Sequence, residues 1–235
     1  MGAEYFKFPS TKYITFPGQG TGRGDKVMPS EEVSRLLAQS VTVEEKIDGA
    51  NLGISFDENG DILLQNRGNW LESPLEGQWR PLKGWIQRRQ EQLFDGLFDR
   101  YILFGEWCYA THTVYYNRLP DYFIGFDVFD KIERRFFSAD RRNDFLDRMG
   151  ISIICRYGRG IYTLEELSAF FGKSHYGDQL CEGIYIRRDE GDWLKSRAKM
   201  VRSGFQQSIG VHWRKRELRV NRLGGKGKGG GPELR

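Results

Sequence analysis

The sequence predicts an α+β fold in which most strands are antiparallel. Short runs of β-branched and aromatic residues recur along the chain between turn-forming residues, a pattern typical of strands. Two of these runs are joined by a turn sequence at residues 57–60, so they are predicted to form an antiparallel hairpin. Segments with helical spacing or helix-capping residues separate the strands.

The hairpin follows a helix predicted at residues 29–39. Residues 41–43 are all β-branched and are predicted to form a strand. Residues 52–56 alternate between apolar and small side chains, and residues 62–65 return as the partner strand. Asn59 and Gly60 suit the intervening turn because both tolerate a positive φ.

The remaining elements follow from apolar spacing and from caps. A helix is predicted at residues 85–98, after a loop at residues 71–83. Ser138 is a suitable N-cap for a helix that ends at Gly150, and Thr163 and Glu166 form a capping box for another helix. Strands are predicted at residues 101–107, 122–130, 151–157, 182–187 and 193–201.

Composition favours a cytoplasmic protein, or a nuclear one in a eukaryote. Of 235 residues, 39% are hydrophobic and 29% are charged, and no apolar run approaches the length of a membrane span. We expect no membrane partner and no secretion, because no signal peptide is recognisable. The three cysteines, Cys108, Cys155 and Cys181, are odd in number and far apart, which indicates free thiols.

Positive charge is concentrated toward the C-terminus. Residues 195–235 contain 12 Lys or Arg and 2 Glu, whereas residues 1–194 contain 24 basic and 30 acidic residues. A basic segment on an acidic body predicts a polyanionic partner. A solubilising tail is the alternative, and the Gly- and Lys-rich sequence at residues 224–231 also fits it.

We divide the chain into three parts. Residues 1–28 are an irregular N-terminal arm, which aromatic residues such as Phe6 and Phe8 are expected to pack onto the body. Residues 29–202 form the main domain. Residues 203–235 are a short basic extension, and its end is flexible by composition.

The sequence Glu-Lys-Ile-Asp-Gly-Ala-Asn at residues 45–51 connects the first two strands. Lys46 is therefore expected where a strand runs into a tight turn, with Asp48 and Asn51 beside its amine. A buried lysine near other cations has a lowered pKa and becomes a nucleophile near neutral pH. Gly49 leaves room for a ligand close to the backbone. For this motif alone, an exposed turn lysine is the alternative.

Two carboxylates lie at the ends of apolar strands. Glu106 closes one strand and Glu182 opens another, positions where a carboxylate costs free energy unless it binds something. Arg67 follows the hairpin and can meet a phosphate or a ribose. His112 is close to Cys108 in sequence, but two such ligands alone do not make a zinc site, and we assign both to structure.

The last predicted strand carries three cations. Alternation places Lys195, Arg197 and Lys199 on one face, where they repel one another unless an anion lies between them. A triphosphate would supply that anion.

Five stretches, in this order, resemble motifs of the covalent nucleotidyltransferases, the superfamily of polynucleotide ligases and RNA capping enzymes. The resemblance is strongest to ATP-dependent RNA ligases of the RNA ligase 2-like branch. The stretches are residues 46–51 for motif I, 104–106 for motif III, 126–127 for motif IIIa, 182–183 for motif IV and 193–199 for motif V.

The resemblance implies an adenylyltransferase domain with two mostly antiparallel, ATP-grasp-like sheets and ATP bound between them. It implies that Lys46 attacks the α-phosphate of ATP and forms lysyl-AMP, with Mg²⁺ or Mn²⁺ as cofactor. The AMP then passes to a 5′-phosphate end of RNA or RNA-containing nucleic acid, and a 3′-hydroxyl displaces it. RNA repair is the process that such a reaction suits.

The resemblance also implies roles for individual residues. Phe126 stacks on adenine, and its parity separates it from Phe123 and Phe129 along the strand. Glu182 holds the metal ion. The implied catalytic residues are Lys46, Asp48, Lys195 and Lys199. The implied nucleotide-binding residues are Glu45, Lys46, Asn51, Arg67, Glu106, Phe126, Glu182, Lys195, Arg197 and Lys199.

The sequence departs from the family pattern in two places. Motif V usually reads Lys-x-Lys, whereas here Arg197 stands second and Lys199 follows, so the choice between these two stays open. The residues after 201 are too few for an appended domain, which leaves end recognition to this domain and its basic extension or to a partner protein. A capping-type guanylyltransferase and a catalytically silent nucleic-acid-binding module are the alternatives.

Overall fold

Two antiparallel sheets form the framework of the molecule. A computed structural model describes residues 5–14, 27–202, 205 and 218–225, and the sheets lie within these ranges. The first sheet has the strand order β7-β1-β8-β9 and the second β3-β2-β4-β5-β6. The strands are β1 (Val41–Lys46), β2 (Ala50–Phe56), β3 (Ile62–Gln65), β4 (Tyr101–Trp107), β5 (Phe123–Asp130), β6 (Arg135–Phe136), β7 (Arg156–Gly160), β8 (Gly183–Glu190) and β9 (Trp193–Val201). The predicted α+β fold is confirmed.

Short helices cover the outer faces of the sheets. Two of the predicted caps are present: Thr163 and Glu166 form the capping box, and Ser138 Oγ accepts a hydrogen bond from the backbone N–H of Arg141. A 3-10 turn at Gly77–Trp79 interrupts the loop that precedes the second helix. The helices are α1 (Ser30–Leu37), α2 (Leu82–Gln87), α3 (Gln90–Leu97), α4 (Ala139–Arg148) and α5 (Leu164–Ser168).

Two predicted elements differ from the structure. The helix predicted at residues 85–98 is broken between α2 and α3, where Arg89 leaves the helical conformation and bonds Asp121 at 2.6 Å. The strand predicted at residues 151–157 begins only at Arg156. Its apolar first part attaches to the edge of β5 instead, since Gly125 donates to Ser152 O and Ile154 donates to Gly125 O.

Two of the hydrophobic clusters lie on the outer faces of the sheets. Helices α2, α3 and α4 pack on the second sheet through a cluster that includes Leu52, Leu93 and Leu146. Helices α1 and α5 pack on the first sheet through Leu36 and Leu167. The inner faces lie across from each other and carry ionisable residues such as Glu44 as well as a further apolar cluster around Phe104.

A buried ionic network joins the inner faces. Arg142 of α4, which is 0% exposed, donates to both Glu44 carboxylate oxygens at 2.5 and 3.2 Å and to Phe126 O at 2.6 Å. Arg187 of β8 bonds Asp127 of β5 at 2.5 Å. The network therefore couples β1 and β8 of the first sheet to β5 of the second.

The described part of the N-terminal arm packs on this body, as its aromatic residues suggest. The Phe6 ring stacks on Phe129 with 3.9 Å between centroids, and the Phe8 ring lies 4.9 Å from Phe104. Residues 12–14 run beside β9, where Ile14 donates to Lys199 O and Lys199 donates to Lys12 O.

The C-terminal extension is described at Phe205 and at residues 218–225. Residues 218–225 lie against the loop that follows β4, and Asn221 is 1% exposed. The flexible end predicted from Gly224 onward lies outside the described ranges, apart from residues 224 and 225. Among the described residues, no helix is both long and apolar enough to cross a membrane.

Replacement of Arg142 by methionine should destabilise the fold by roughly 3–5 kcal/mol, because Glu44 would remain buried without its main partner. Chemical denaturation measures the change in the free energy of unfolding. Arg148→Ala, at an exposed position on the same helix, is the control and should cost no more than about 1 kcal/mol. Equal effects of the two variants would contradict a structural role for the network.

Candidate active site

A cavity of about 700 Å³ opens between the inner faces of the two sheets. We call it the inter-sheet cavity. Strands of both sheets line it, together with the turn after Lys46, the loop after β3 and the 3-10 turn. The predicted site residues that line it are Glu45, Lys46, Asp48, Asn51, Arg67, Glu106, Phe126, Glu182 and Lys199.

Lys46 is the last residue of β1, at the point where the chain passes from the first sheet to the second. Gly49 makes this crossing possible, since a Cβ there would lie 2.8 Å from Trp107 O and 3.0 Å from Glu106 Cγ. The absent Cβ thus makes room for strand β4; Gly49 also lines the inter-sheet cavity, and its close approach to a ligand stays a prediction.

Lys46 is surrounded by carboxylates. Its Nζ lies 2.6 Å from Glu182 Oε2. Burial by itself would lower the pKa of the amine, but Glu182, Glu106 and Asp48 outweigh this and raise the pKa of Lys46 above its ordinary value. The expectation of an amine whose pKa is lowered by neighbouring cations is wrong for the unliganded site. Here Lys46 is an ammonium group.

The two carboxylates have raised pKa values. Burial is the main cause for both, and it raises the pKa of Glu182 to about 7 and that of Glu106 to about 8. Lys46 opposes this rise in both cases, and the neighbouring carboxylate charge of Asp48 adds to it. Both carboxyl groups therefore lose their protons closer to neutral pH than an exposed glutamate does.

The carboxylates of Glu45 and Asp48, on either side of Lys46, form hydrogen bonds within the protein. Asp48 Oδ2 accepts hydrogen bonds from the backbone N–H groups of Thr113 and Val114 at 2.7 and 2.9 Å. Glu45 accepts from Ser174 Oγ and Tyr157 Oη at 2.5 and 2.8 Å. The Glu45 carboxylate is occupied by these groups, so its predicted contact with the nucleotide can come only from its backbone.

Phe126 lines the cavity because β5 contains a β-bulge. Gly125 pairs with Gly105 and Asp127 pairs with Phe104, which leaves Phe126 as the extra residue. Its ring is half-buried and meets Phe8 edge-on at 5.5 Å. Simple alternation along the strand, on which the prediction relied, therefore does not explain why Phe126 faces the cavity.

Lys195 does not belong to the cavity, and its predicted place beside Arg197 and Lys199 is wrong. Leu194 pairs with Asp189 and Ser196 with Arg188, so Lys195 is the extra residue of a bulge in β9. Its side chain is 53% exposed and its Nζ lies 3.0 Å from a carboxylate oxygen of Glu190.

Arg197 and Lys199 have different surroundings. Arg197 bonds Asp127 Oδ2 at 2.7 Å and lies over the Phe8 and Phe136 rings, outside the cavity lining. Lys199 is 8% exposed, lines the cavity and lies over the Tyr13 ring at 4.0 Å. Of the three cations predicted in motif V, Lys199 is the one that the structure places in the cavity.

At the mouth of the cavity the predicted residue Arg67 lies beside residues that were not assigned to the site from the sequence. Arg67, Gly68 and Asn69 are exposed lining residues, and Trp79 is a half-buried one. His112 also lines the cavity, with Nε2 2.9 Å from Gln78 Oε1. Its assignment to a purely structural role is thus incomplete. For Gln78 and Trp79, the only signal in the sequence was their place in the predicted loop at residues 71–83.

Glu44 and Arg187 also line the cavity and were not predicted. For Glu44 the sequence did contain a signal of its position, because Glu44 precedes Lys46 by two residues in a strand and so shares its face.

A divalent metal ion is compatible with the oxygen groups in the cavity. No cluster of three or more His, Cys, Asp or Glu arranged to hold a metal is found in the described ranges. Mg²⁺ needs no such cluster, since it often binds one or two carboxylates together with substrate phosphates. Glu182, Glu106 and the buried Asn51 Oδ1, which lacks a hydrogen-bond partner among the described residues, are suitable hard ligands.

Two antiparallel sheets enclose a cavity that contains Lys46, and motif residues from both sheets line it. A sequence model of the RNA ligase family matches residues 39–201, more than half of the chain. The chain therefore belongs to the RNA ligase family, and the resemblance noted from its motifs is confirmed. The curated proteins include no match to this sequence.

Solved RNA ligases have the same fold. Naegleria gruberi RNA ligase with PPi aligns with a TM-score of 0.60 and 17% identity, over 75% of this chain and 53% of that one. A variant of the same ligase with ATP and Mn aligns with a TM-score of 0.59 and 15% identity, over 88% of this chain and 63% of that one. An archaeal ATP-dependent RNA ligase aligns with a TM-score of 0.58 and 18% identity, over 85% of this chain and 49% of that one. The chain spans about half the length of the first of these ligases.

Glu106→Gln should make stability less sensitive to pH. Because the pKa of Glu106 is raised from its ordinary 4.5 to about 8 in the folded chain, the contribution of Glu106 to wild-type stability is greatest below about pH 4.5 and is lost as the pH rises through about 8. The variant's unfolding free energy, relative to wild type, should rise by roughly 4 kcal/mol between pH 4.5 and 8.5.

Denaturation curves at the two pH values measure this difference. Glu91→Gln, at an exposed position on α3, should change stability equally at both. A Glu106→Gln effect that is also independent of pH would contradict the raised pKa.

Proposed function

We propose that this chain is the nucleotidyltransferase part of an ATP-dependent RNA ligase that acts through a covalent lysyl-AMP at Lys46. The observation that carries the proposal is the position of Lys46. Its amine lies in a cavity of about 700 Å³ with an acidic partner at 2.6 Å, and the cavity contains a buried second cation, Lys199.

ATP and a divalent cation, Mg²⁺ or Mn²⁺, are the proposed ligands. The Naegleria gruberi ligase has been solved with ATP and Mn, with AMP and Mn, and with PPi. In this chain Phe126 offers an aromatic face to adenine, and Lys199 and Arg67 offer positive charge to phosphates. Glu182 and Glu106 would hold the metal ion, which neutralises phosphate charge when it is bound.

The first step requires a neutral amine at Lys46. Glu182, whose Oε2 lies 2.6 Å from the amine, is the nearest acceptor for its proton. The free amine then attacks the α-phosphorus of ATP, forming a P–N bond and breaking the bond to the β-phosphate oxygen, so that pyrophosphate leaves. Lys199 supplies a fixed positive charge near the phosphates.

The later steps join two RNA ends. The 5′-phosphate of one strand attacks the lysyl-AMP phosphorus, which breaks the P–N bond and returns the proton to Lys46. A 3′-hydroxyl then attacks the adenylated 5′-phosphate and releases AMP. RNA repair suits this chemistry, since it requires ends with 5′-phosphate and 3′-hydroxyl groups.

The mouth of the cavity is the proposed place for the RNA end. Arg67 and Asn69 are exposed there beside Trp79 and His112. Positive charge beside an aromatic ring is the combination that binds single-stranded nucleic acid, through the backbone and a stacked base.

Intact-protein mass spectrometry after incubation with ATP and Mg²⁺ tests the proposal. The wild-type protein should gain one AMP, and Lys46→Ala and Lys46→Arg should gain none, because arginine does not lose its proton. Lys195→Ala should form the adduct normally, since Lys195 lies on the surface outside the cavity.

Three outcomes contradict the proposal. An adduct formed with GTP and not with ATP would indicate a capping-type guanylyltransferase. RNA binding without any adduct would indicate a catalytically silent binding module. A peptide map with AMP on a lysine other than Lys46 would exclude the assigned nucleophile.

Arg67→Ala and Trp79→Ala should weaken RNA binding with different dependence on salt. Loss of one phosphate contact at Arg67 should flatten the slope of log affinity against log salt concentration by about 0.7 for a single strand. Loss of base stacking at Trp79 should cost about 1–3 kcal/mol and leave the slope unchanged.

Fluorescence anisotropy with a 5′-phosphorylated RNA measures both quantities. Arg148→Ala, exposed on the helix that covers the opposite face of the second sheet, is the control. If Arg67→Ala leaves the slope unchanged, the RNA end does not bind at this mouth.

A further inference from the structure

The C-terminal segment at residues 218–225 is hydrogen-bonded to the loop between β4 and β5. The backbone N–H of Thr111 donates to Arg219 O at 2.8 Å, and Arg222 N–H donates to Tyr116 O at 2.9 Å. Gly224 N–H donates to Leu119 O at 2.8 Å. The segment therefore follows the loop along much of its length, although the two are separated by about a hundred residues in sequence.

Asn221 is the buried centre of this contact. Its Nδ2 donates to Cys108 O at 2.8 Å and to Ala110 O at 3.3 Å. Its Oδ1 accepts from Thr111 Oγ1 at 2.8 Å and from the Tyr116 backbone N–H at 3.0 Å. One amide side chain thus fixes both ends of the first half of the loop.

The same stretch of loop holds the turn after Lys46. The Thr113 and Val114 N–H groups donate to Asp48 Oδ2 at 2.7 and 2.9 Å. The Asp48 N–H donates to Tyr116 Oη at 2.7 Å. Tyr116 is 0% exposed. Its backbone N–H bonds Asn221 and its hydroxyl bonds Asp48, so this one residue connects Asn221 to Asp48.

We propose that Asn221 is a positioning residue for nucleotidyl transfer, which fixes Lys46 through the loop at residues 108–116 and Asp48. The C-terminal segment is then a working part of the catalytic domain, beyond any contribution of its charge to RNA binding. This inference rests on the proposed function for its kinetic consequence and on the contacts above for its structural one.

The physical basis is the cost of unsatisfied buried groups. Without the Asn221 amide, two loop carbonyls, one hydroxyl and one N–H group lose their partners in a buried place, so the loop must shift to reach water. A shift in the Asp48 turn moves Lys46 relative to the α-phosphate. Misplacement of a reacting group by a fraction of an ångström to an ångström is sufficient to slow chemistry greatly.

Asn221→Ala should slow lysyl-AMP formation by roughly tenfold or more at saturating ATP. The ATP concentration that gives half the maximal rate should change little, because Asn221 does not line the cavity. Single-turnover kinetics with radiolabelled ATP measures both values. In hydrogen–deuterium exchange, the Thr113 and Val114 amides of the variant should exchange faster than those of wild type.

Two control variants separate positioning from loss of stability. Leu223→Ala alters an exposed side chain of the same segment, 45% exposed, and should leave the rate unchanged. Leu167→Ala removes a buried side chain from the core of the first sheet and should lower the melting temperature without slowing adenylation at a temperature where the protein is folded.

The proposal is overturned if Asn221→Ala slows adenylation no more than Leu167→Ala, or if exchange at Thr113 and Val114 is unchanged. Asn221→Asp keeps the acceptor for Thr111 and Tyr116 and should retain more activity than Asn221→Ala. If the wild type forms no adduct, the proposed function fails, whereas the exchange experiment still decides whether Asn221 controls the Asp48 turn.

Discussion

Charge buried between two sheets must be paired, and this constraint governs the centre of the molecule. The outer faces of both sheets pack against the apolar sides of helices, and several ionisable residues, including Glu44, Asp127 and Arg187, are buried between the sheets. Arg142 and Glu44 pair there with almost no exposure, and Arg187 pairs with Asp127. These pairs fix the backbone of Phe126, because Arg142 also donates to its carbonyl oxygen. The rigidity of the proposed adenine platform thus comes from the same pairs that join the sheets.

The same constraint determines the state of the nucleophile. Lys46 is protonated in the unliganded site because Glu182 and its neighbours outweigh the effect of burial on its pKa. The carboxylates have raised pKa values for the opposite reason, since burial disfavours their charge. In the proposed reaction, nucleotide and metal ion change this balance, and Glu182 is the nearest group to receive the proton.

Local patterns in the sequence predicted local structure well. The capping box at Thr163, the hairpin after Lys46 and the bounds of β4 and β9 depend on neighbouring residues, and all are present. Alternation failed at Phe126 and Lys195, where bulges insert one residue, and a bulge depends on the pairing with another strand. Likewise, the packing of Gly49 against β4 had no local signal. The contacts of Asn221 with the loop after β4 join residues far apart in sequence and had no local signal.

The ionisation state of Lys46 tests this account most directly. NMR titration of a side chain labelled with ¹⁵N and ¹³C reports the pKa of the Lys46 amine in the free protein, and Glu182→Gln serves as the comparison. The account predicts an ammonium group through neutral and moderately alkaline pH, with a pKa that falls when Glu182 loses its charge. A neutral Lys46 amine at pH 7 in the free protein, or a pKa that does not fall in Glu182→Gln, would contradict it.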